Sequence, residues 1–180
     1  MNRFLIVVLA AFLSLATAEA ALQPGAKAPD FTTQASLGGN TFSFSLADAL
    51  KKGPVVLYFY PEAFTSGCTI EAHEFAAAAD DYKAAGATVI GLSHDGIEKL
   101  QKFSVSECRN KFAVGSDADQ KIMTAYDAVL QAHPTYSDRT SFVIAPTGEI
   151  LYVYTDMKDP KEHVVKTLAA VRKWAAEHPK

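Results

Sequence analysis

Apolar residues along the chain follow two different rhythms. From 54 to 60 the sequence reads Pro54-Val-Val-Leu-Tyr-Phe-Tyr60, a continuous run of β-branched and aromatic residues. That is the pattern of a strand covered on both faces near the middle of a sheet. Residues 87–92 form a second run of the same kind. Between them, residues 69–85 carry Ile70, Phe75, Ala79 and Tyr82 at spacings that suit a helix, and Gly86 ends it. Strand, helix, strand implies parallel pairing. A helix over 97–108 follows, with Ile97, Leu100 and Phe103 or Ser104 on one side. Residues 112–114 suit a short strand, 118–126 a helix, and 140–144 with 150–154 a hairpin around Pro146-Thr-Gly148. In the last helix Asp159 is the N-cap, Pro160 takes the first helical position and Glu162 completes a capping box. Val164, Leu168, Val171 and Ala175 make its apolar stripe, with Trp174 packing beside it. The order predicts an α/β domain, a central mixed sheet with helices on both faces.

The amino terminus adds a compartment. Arg3 precedes an uncharged stretch over 4–18, and Ala18-Glu19-Ala20 offers a small-x-small cleavage site. Residues 1–20 are therefore expected to be a secretory signal peptide, too short and too abruptly ended for a membrane span. Residues 21–180 then form one domain, secreted, and periplasmic if the source has a bacterial double membrane. The formal net charge of −3 gives no attraction for nucleic acid or for an anionic membrane after cleavage. His94, His133, His163 and His178 are scattered without chelating spacing, so no metal site is indicated. No glycine-rich phosphate loop follows either strand, and no nucleotide or flavin cofactor is implied.

The two cysteines, Cys68 and Cys108, carry the candidate chemistry. Cys68 stands in the first turn of the helix after the 54–60 strand, where unpaired backbone N–H groups and the positive end of the helix dipole meet a side chain. An anionic sulfur is favoured there, and the thiolate is the nucleophilic form. By position alone Cys68 is equally a small buried hydrophobe or half of a structural disulfide.

Its neighbours decide the matter. Pro61-Glu-Ala-Phe-Thr65-Ser-Gly-Cys68 resembles the Pro-x-x-x-Thr-x-x-Cys motif of the peroxiredoxin family, placed directly after an apolar strand as in that family. Gly25-Ala-Lys-Ala-Pro29-Asp30-Phe31 is similar to its amino-terminal signature, and Asp138-Arg139-Thr140 to its arginine-bearing strand entry. Phe59-Tyr60-Pro61, Ser93-His94-Asp95, Ser116-Asp117 and Ala145-Pro146-Thr-Gly148 resemble the bacterioferritin comigratory, or peroxiredoxin Q, subgroup. The resemblance implies a thioredoxin-like fold and a thiol-dependent peroxidase reducing hydrogen peroxide and organic hydroperoxides. Cys68 would be the attacking thiolate that leaves as a sulfenic acid, Thr65 would align the peroxide, Arg139 would stabilise the charge, Pro61 would shield the pocket, and Glu71 could orient Arg139 from behind.

One position departs from the family pattern. Many members of the subgroup carry a resolving cysteine five residues after the nucleophile, where this chain has His73, expected to be a solvated helix residue. Cys108 is the other thiol, and some relatives place the resolver in the helix after the second strand, here 97–108, at or beyond whose end Cys108 falls. It is expected to close a disulfide with Cys68 after local unwinding, the alternatives being a free buried thiol in a one-cysteine enzyme or a permanent structural bridge. The recycling partner would be a thioredoxin-like protein or a small thiol, and the assembly a monomer or dimer. A thiol-disulfide oxidoreductase is the competing reading, but its Cys-x-x-Cys is replaced by Thr65-Ser-Gly-Cys68. A secreted binding domain stapled by its two cysteines would leave Thr65 and Arg139 unexplained.

Overall fold

The computed structural model describes residues 21–179, so the expected signal peptide lies outside the described residues. Seven strands form one sheet: β1 (Thr32–Leu37), β2 (Asn40–Ser45), β3 (Val55–Phe59), β4 (Thr88–Ser93), β5 (Ala113–Ser116), β6 (Thr140–Ile144) and β7 (Ile150–Thr155). Their order across the sheet is β2-β1-β5-β4-β3-β6-β7. As expected, β3 is central, parallel to β4, while β6 pairs with it from the other side in the antiparallel sense. Every residue of β3 and of β6 is buried.

The sheet separates two cores because strand side chains alternate between faces. Val55, Leu57 and Phe59 enter one, with Leu46 of α1 (Leu46–Leu50), Met123 of α5 (Lys121–Ala125) and Tyr126. Val56, Tyr58 and Tyr60 enter the other, with residues of α2 (Ser66–Ala77), α3 (Ala79–Ala84), α4 (Ile97–Ser106) and α6 (Pro160–Glu177). Both cysteines lie in this second core. α6 starts where its capping signal places it, with the Asp159 carboxylate accepting from the N–H groups of Lys161 and Glu162. Glu162 turns to Lys166, 3.3 Å away, instead of closing the box.

The helix expected over 69–85 is corrected in three respects. It begins earlier, at Ser66, and bends at Ala78 into two helices. Ile70, expected on the apolar side, is 42% exposed. The buried positions of α2 are Cys68, Glu71, Ala72, Phe75 and Ala76, a continuous i, i+3, i+4 stripe that contains a carboxylate. A search for apolar spacing passes over such a stripe. The β1–β2 hairpin, turning through Gly38 and Gly39 at φ 56° and 81°, was not anticipated because β2 is an exposed edge strand with few apolar residues.

Tyr58 fixes one tight approach in the second core. Its ring stacks on Phe75 at 4.3 Å between centroids, and a Cβ on Gly91 of β4 would stand 2.5 Å from its Cζ. Gly91→Ala is expected to lower the unfolding free energy by about 1–3 kcal/mol, as overpacking does in a closed core. Urea titration measures it, and an unchanged midpoint would show that the Tyr58 ring can move aside.

Candidate active site

The loop that carries the site is pinned to the neighbouring strand before α2 begins. Tyr60 N–H donates to the Leu92 carbonyl at 3.0 Å, and the Tyr60 carbonyl accepts from Ser137 Oγ at 2.7 Å. Ala63 N–H donates to Asp95 Oδ2 at 2.7 Å, and the same oxygen accepts from Ser93 Oγ at 2.8 Å. Lys99 joins Asp95, 2.7 Å away, to Glu62, 2.8 Å away. Burial works against the Lys99 charge, but these two carboxylates outweigh it and hold the amine above its ordinary value. His94 Nδ1 lies 3.0 Å from the Pro61 carbonyl, so the turn after β4 that carries His94 and Asp95 also holds the loop. Pro61 is half-buried. Phe64 adopts a left-handed φ of 70°, with its ring edge-on to Phe103 at 5.2 Å.

Thr65 is the N-cap of α2, yet its hydroxyl does not cap. It donates to the Glu62 carbonyl at 2.9 Å instead. The first-turn N–H groups are thereby left without a side-chain acceptor, and the lone pairs of Thr65 Oγ1 are free to accept.

Cys68 is the third residue of α2 and 2% exposed. Arg139, at the entry to β6 and 3% exposed, donates from Nη2 to Cys68 Sγ at 3.5 Å. Nη1 of the same guanidinium donates to Glu71 Oε2. Burial opposes the Arg139 charge, but Glu71 and Cys68 outweigh it and hold the guanidinium above its ordinary value. Burial pushes the Glu71 carboxyl up to about 8 even with Arg139 pulling it down. The structure thus brings Cys68, Arg139 and Glu71 into contact, with Thr65 and Pro61 on the loop just ahead.

Three features of the surroundings were not foreseen. His163 of α6 is wholly buried behind Glu71, its Nδ1 2.8 Å from Ser141 Oγ and its Nε2 2.9 Å from the Asp156 carbonyl. Burial holds the imidazole down at about 4. The sequence signal was its spacing, one residue ahead of Val164 on the helix stripe, which marks a core position for an ionisable group. Asp95, marked above only as part of the Ser93-His94-Asp95 resemblance, accepts the loop amide. His73 is not simply solvated: its Nε2 sits 2.8 Å from Glu107 Oε2 and ties α2 to the end of α4.

Cys108 lies two residues past α4 and is fully buried. Both thiols are free. Burial pushes the Cys108 thiol far above its ordinary value, and the Glu107 charge adds to this. The hydroxyls of Tyr58 and Tyr60, in the same core, are buried without hydrogen-bond partners.

A mixed sheet with helices on both faces and a lone cysteine at a helix start, backed by arginine, defines a thioredoxin-like protein with a single-thiol site. Residues 24–153 match the model of the AhpC/TSA family. The chain belongs to that family, the peroxiredoxins, and is of the Bcp and peroxiredoxin Q kind. It is 33% identical over 148 residues to "Peroxiredoxin Q, chloroplastic" of Triticum aestivum, an alignment covering 82% of this chain and 66% of the wheat protein, just under two thirds of its length. It is 34% identical to "Putative peroxiredoxin bcp" of Helicobacter pylori strain J99, covering 83% of this chain and 98% of that one. Among solved structures, peroxidoxin BcpB from Mycobacterium tuberculosis superposes with a TM-score of 0.76 at 30% identity, over 84% of this chain and 97% of that one.

The buried His163 gives a pH-dependent stability. Its folded value of about 4 lies below the ordinary 6.5, so the unfolded chain binds the proton more readily. Stability from this group is present above pH 6.5 and is lost as pH falls towards 4. Measured by denaturant titration at several pH values, the stability gap between wild type and His163→Asn should narrow over that window, by up to about 3 kcal/mol. A gap that stays constant would mean that His163 is not held neutral.

Proposed function

We propose that this chain is a thiol-dependent peroxidase in which Cys68 attacks hydroperoxides. The observation that carries the reading is the buried Arg139 guanidinium 3.5 Å from Cys68 Sγ at the first turn of α2. An anionic sulfur there meets a fixed cation and the positive end of a helix. It attacks one peroxide oxygen: the S–O bond forms as O–O breaks, sulfur is oxidised to the sulfenic acid, and the leaving alkoxide takes a proton to become an alcohol or water. Thr65, whose donor is spent on Glu62, accepts from the peroxide and orients it. Arg139 stabilises the negative charge of the breaking bond, and Pro61 covers the loop side. Glu71 holds the second arm of Arg139. The printed names of the relatives support the same activity.

The second step we assign to Cys108. Its thiol attacks the sulfenic acid, water leaves, and a Cys68–Cys108 disulfide remains, to be reduced by a thioredoxin-like protein or a small thiol. Buried and held as a thiol, Cys108 is unreactive where it sits, so the chain around both sulfurs must open first. The amino-terminal segment 1–20 we read as an export signal, which sequencing the terminus of the exported protein would test.

Cys68→Ser should abolish peroxide consumption with the fold intact, and retained activity would overturn the assignment. Arg139→Ala should slow Cys68 oxidation in stopped-flow measurements by about 10²–10³-fold, the effect of removing one oxyanion donor, and Thr65→Val should slow it too, by removing the acceptor that orients the peroxide. Unchanged rates would remove them from the mechanism.

For Cys108, peroxide-treated protein mapped under non-reducing conditions should yield a joined Cys68–Cys108 peptide. Cys108→Ser should keep the first oxidation, stall with reductants that need the disulfide, and overoxidise at Cys68 more readily. If no such peptide forms and the variant turns over normally, the enzyme works with one cysteine.

A further inference from the structure

One polar cluster behind the site has no part in the steps above. Nε2 of His163 faces the Asp156 carbonyl at 2.9 Å, and a carbonyl only accepts, so Nε2 carries the ring proton. The imidazole is neutral, so Nδ1 carries no proton and is an acceptor with one lone pair. That nitrogen lies 2.8 Å from Ser141 Oγ and 3.8 Å from Glu71 Oε1. Glu71 Oε1 is itself buried and has no hydrogen-bond partner, since Arg139 engages Oε2 alone. As a carboxylate, Glu71 would hold an unpartnered anionic oxygen in the core beside a ring nitrogen that has no proton to offer it.

Charge counting points the same way. With Cys68 as thiolate and Glu71 as carboxylate, two anions would share one guanidinium in a region where all three side chains are almost fully buried. An uncompensated buried charge is strongly unfavourable. A proton on Glu71 leaves one thiolate and one guanidinium, a balanced pair.

We propose that Glu71 carries a proton on Oε1 in the reduced protein, and that His163 is the positioning residue that receives it, leaving the Arg139 charge to Cys68. The 3.8 Å separation is longer than a hydrogen bond, and an approach of about 1 Å makes it one. The single lone pair of Nδ1 is then shared between the Ser141 hydroxyl and the Glu71 acid. Burial, which pushes the Glu71 carboxyl up, works in the same direction. The other ionisable groups bearing on the pair are Asp156 and Asp159 ahead of α6, Cys68 on α2, and the Tyr58 hydroxyl on β3. The two aspartates act on the imidazole from the solvent side, and Tyr58 stays neutral because burial pushes its hydroxyl up. The fold thus uses His163, which touches neither peroxide nor sulfur, to decide how a negative charge is divided between two acids on one helix face.

The inference rests on Cys68 as the attacking sulfur, and its test is separate from that reading. The probe is the reduced full chain near neutral pH, compared with Glu71→Gln. The infrared difference spectrum should contain the carbonyl stretch of a protonated carboxylic acid, lost in Glu71→Gln. Nitrogen NMR of the His163 ring should report a neutral imidazole protonated at Nε2, with the Nδ1 signal shifting on Glu71→Gln. A purely structural histidine would leave Nδ1 unmoved. Absence of the acid band, or a proton on Nδ1, overturns the proposal even if Cys68→Ser is inactive. Conversely, peroxide consumption that survives Cys68→Ser overturns the assignment of Cys68 without touching the acid band.

Discussion

The guanidinium of Arg139 is buried in the second core, and a cation out of water costs several kcal/mol unless its donors are met. Two acceptors, Cys68 and Glu71, meet its Nη2 and Nη1 while Nε is left without a partner, and both acceptors stand on one face of α2, three residues apart. That requirement orients the helix: α2 must lie with its sulfur and carboxylate facing the start of β6. α6 closes the arrangement from behind by placing a neutral imidazole beside the Glu71 carboxyl group. The position of the Cys68 sulfur therefore follows from satisfying one buried charge as much as from the loop that delivers it.

Much of this was legible in the sequence, and the parts that were not share a physical reason. The apolar run of β3 and the capping residues of α6 are local signals, and both elements stand where these put them. The motif from Pro61 to Cys68, with Arg139, identified residues that the fold gathers at one end of the central strands. What escaped was set by partners distant in sequence. The burial of Glu71, which only the family resemblance had linked to Arg139, depends on that arginine 68 residues on. Ile70 reads as core and is exposed for the same reason, since the face chosen by the arginine is not the most apolar one. His163 looked like one of several scattered histidines because Ser141, its partner, lies on a strand. The β1–β2 hairpin pairs exposed residues, so hydrophobic periodicity gave it little weight.

The two cysteines show how location differentiates identical side chains. Both belong to one apolar cluster, and both are almost completely buried. Cys68 sits at a helix start with a cation beside it. Cys108 follows a helix end with Glu107 as its neighbour, and is held as a thiol. One sulfur has a cation beside it and the other an anion, which is the basis on which we propose different roles for the two.

On the proposed two-cysteine route, the contacts that pin residues 61–65 would also act as a clock. A sulfenic acid at Cys68 has two fates on the two-cysteine route: capture by Cys108 once the loop lets go, or attack by a second peroxide while it is still held. The hydrogen bond from Ala63 to Asp95 and the bridge from Glu62 through Lys99 set how long the loop stays closed. Neither Asp95 nor Lys99 has to touch a substrate to exert this influence. A firmer grip would position the sulfur better and lose it sooner to irreversible oxidation. A looser one would sacrifice speed at low peroxide for survival at high peroxide.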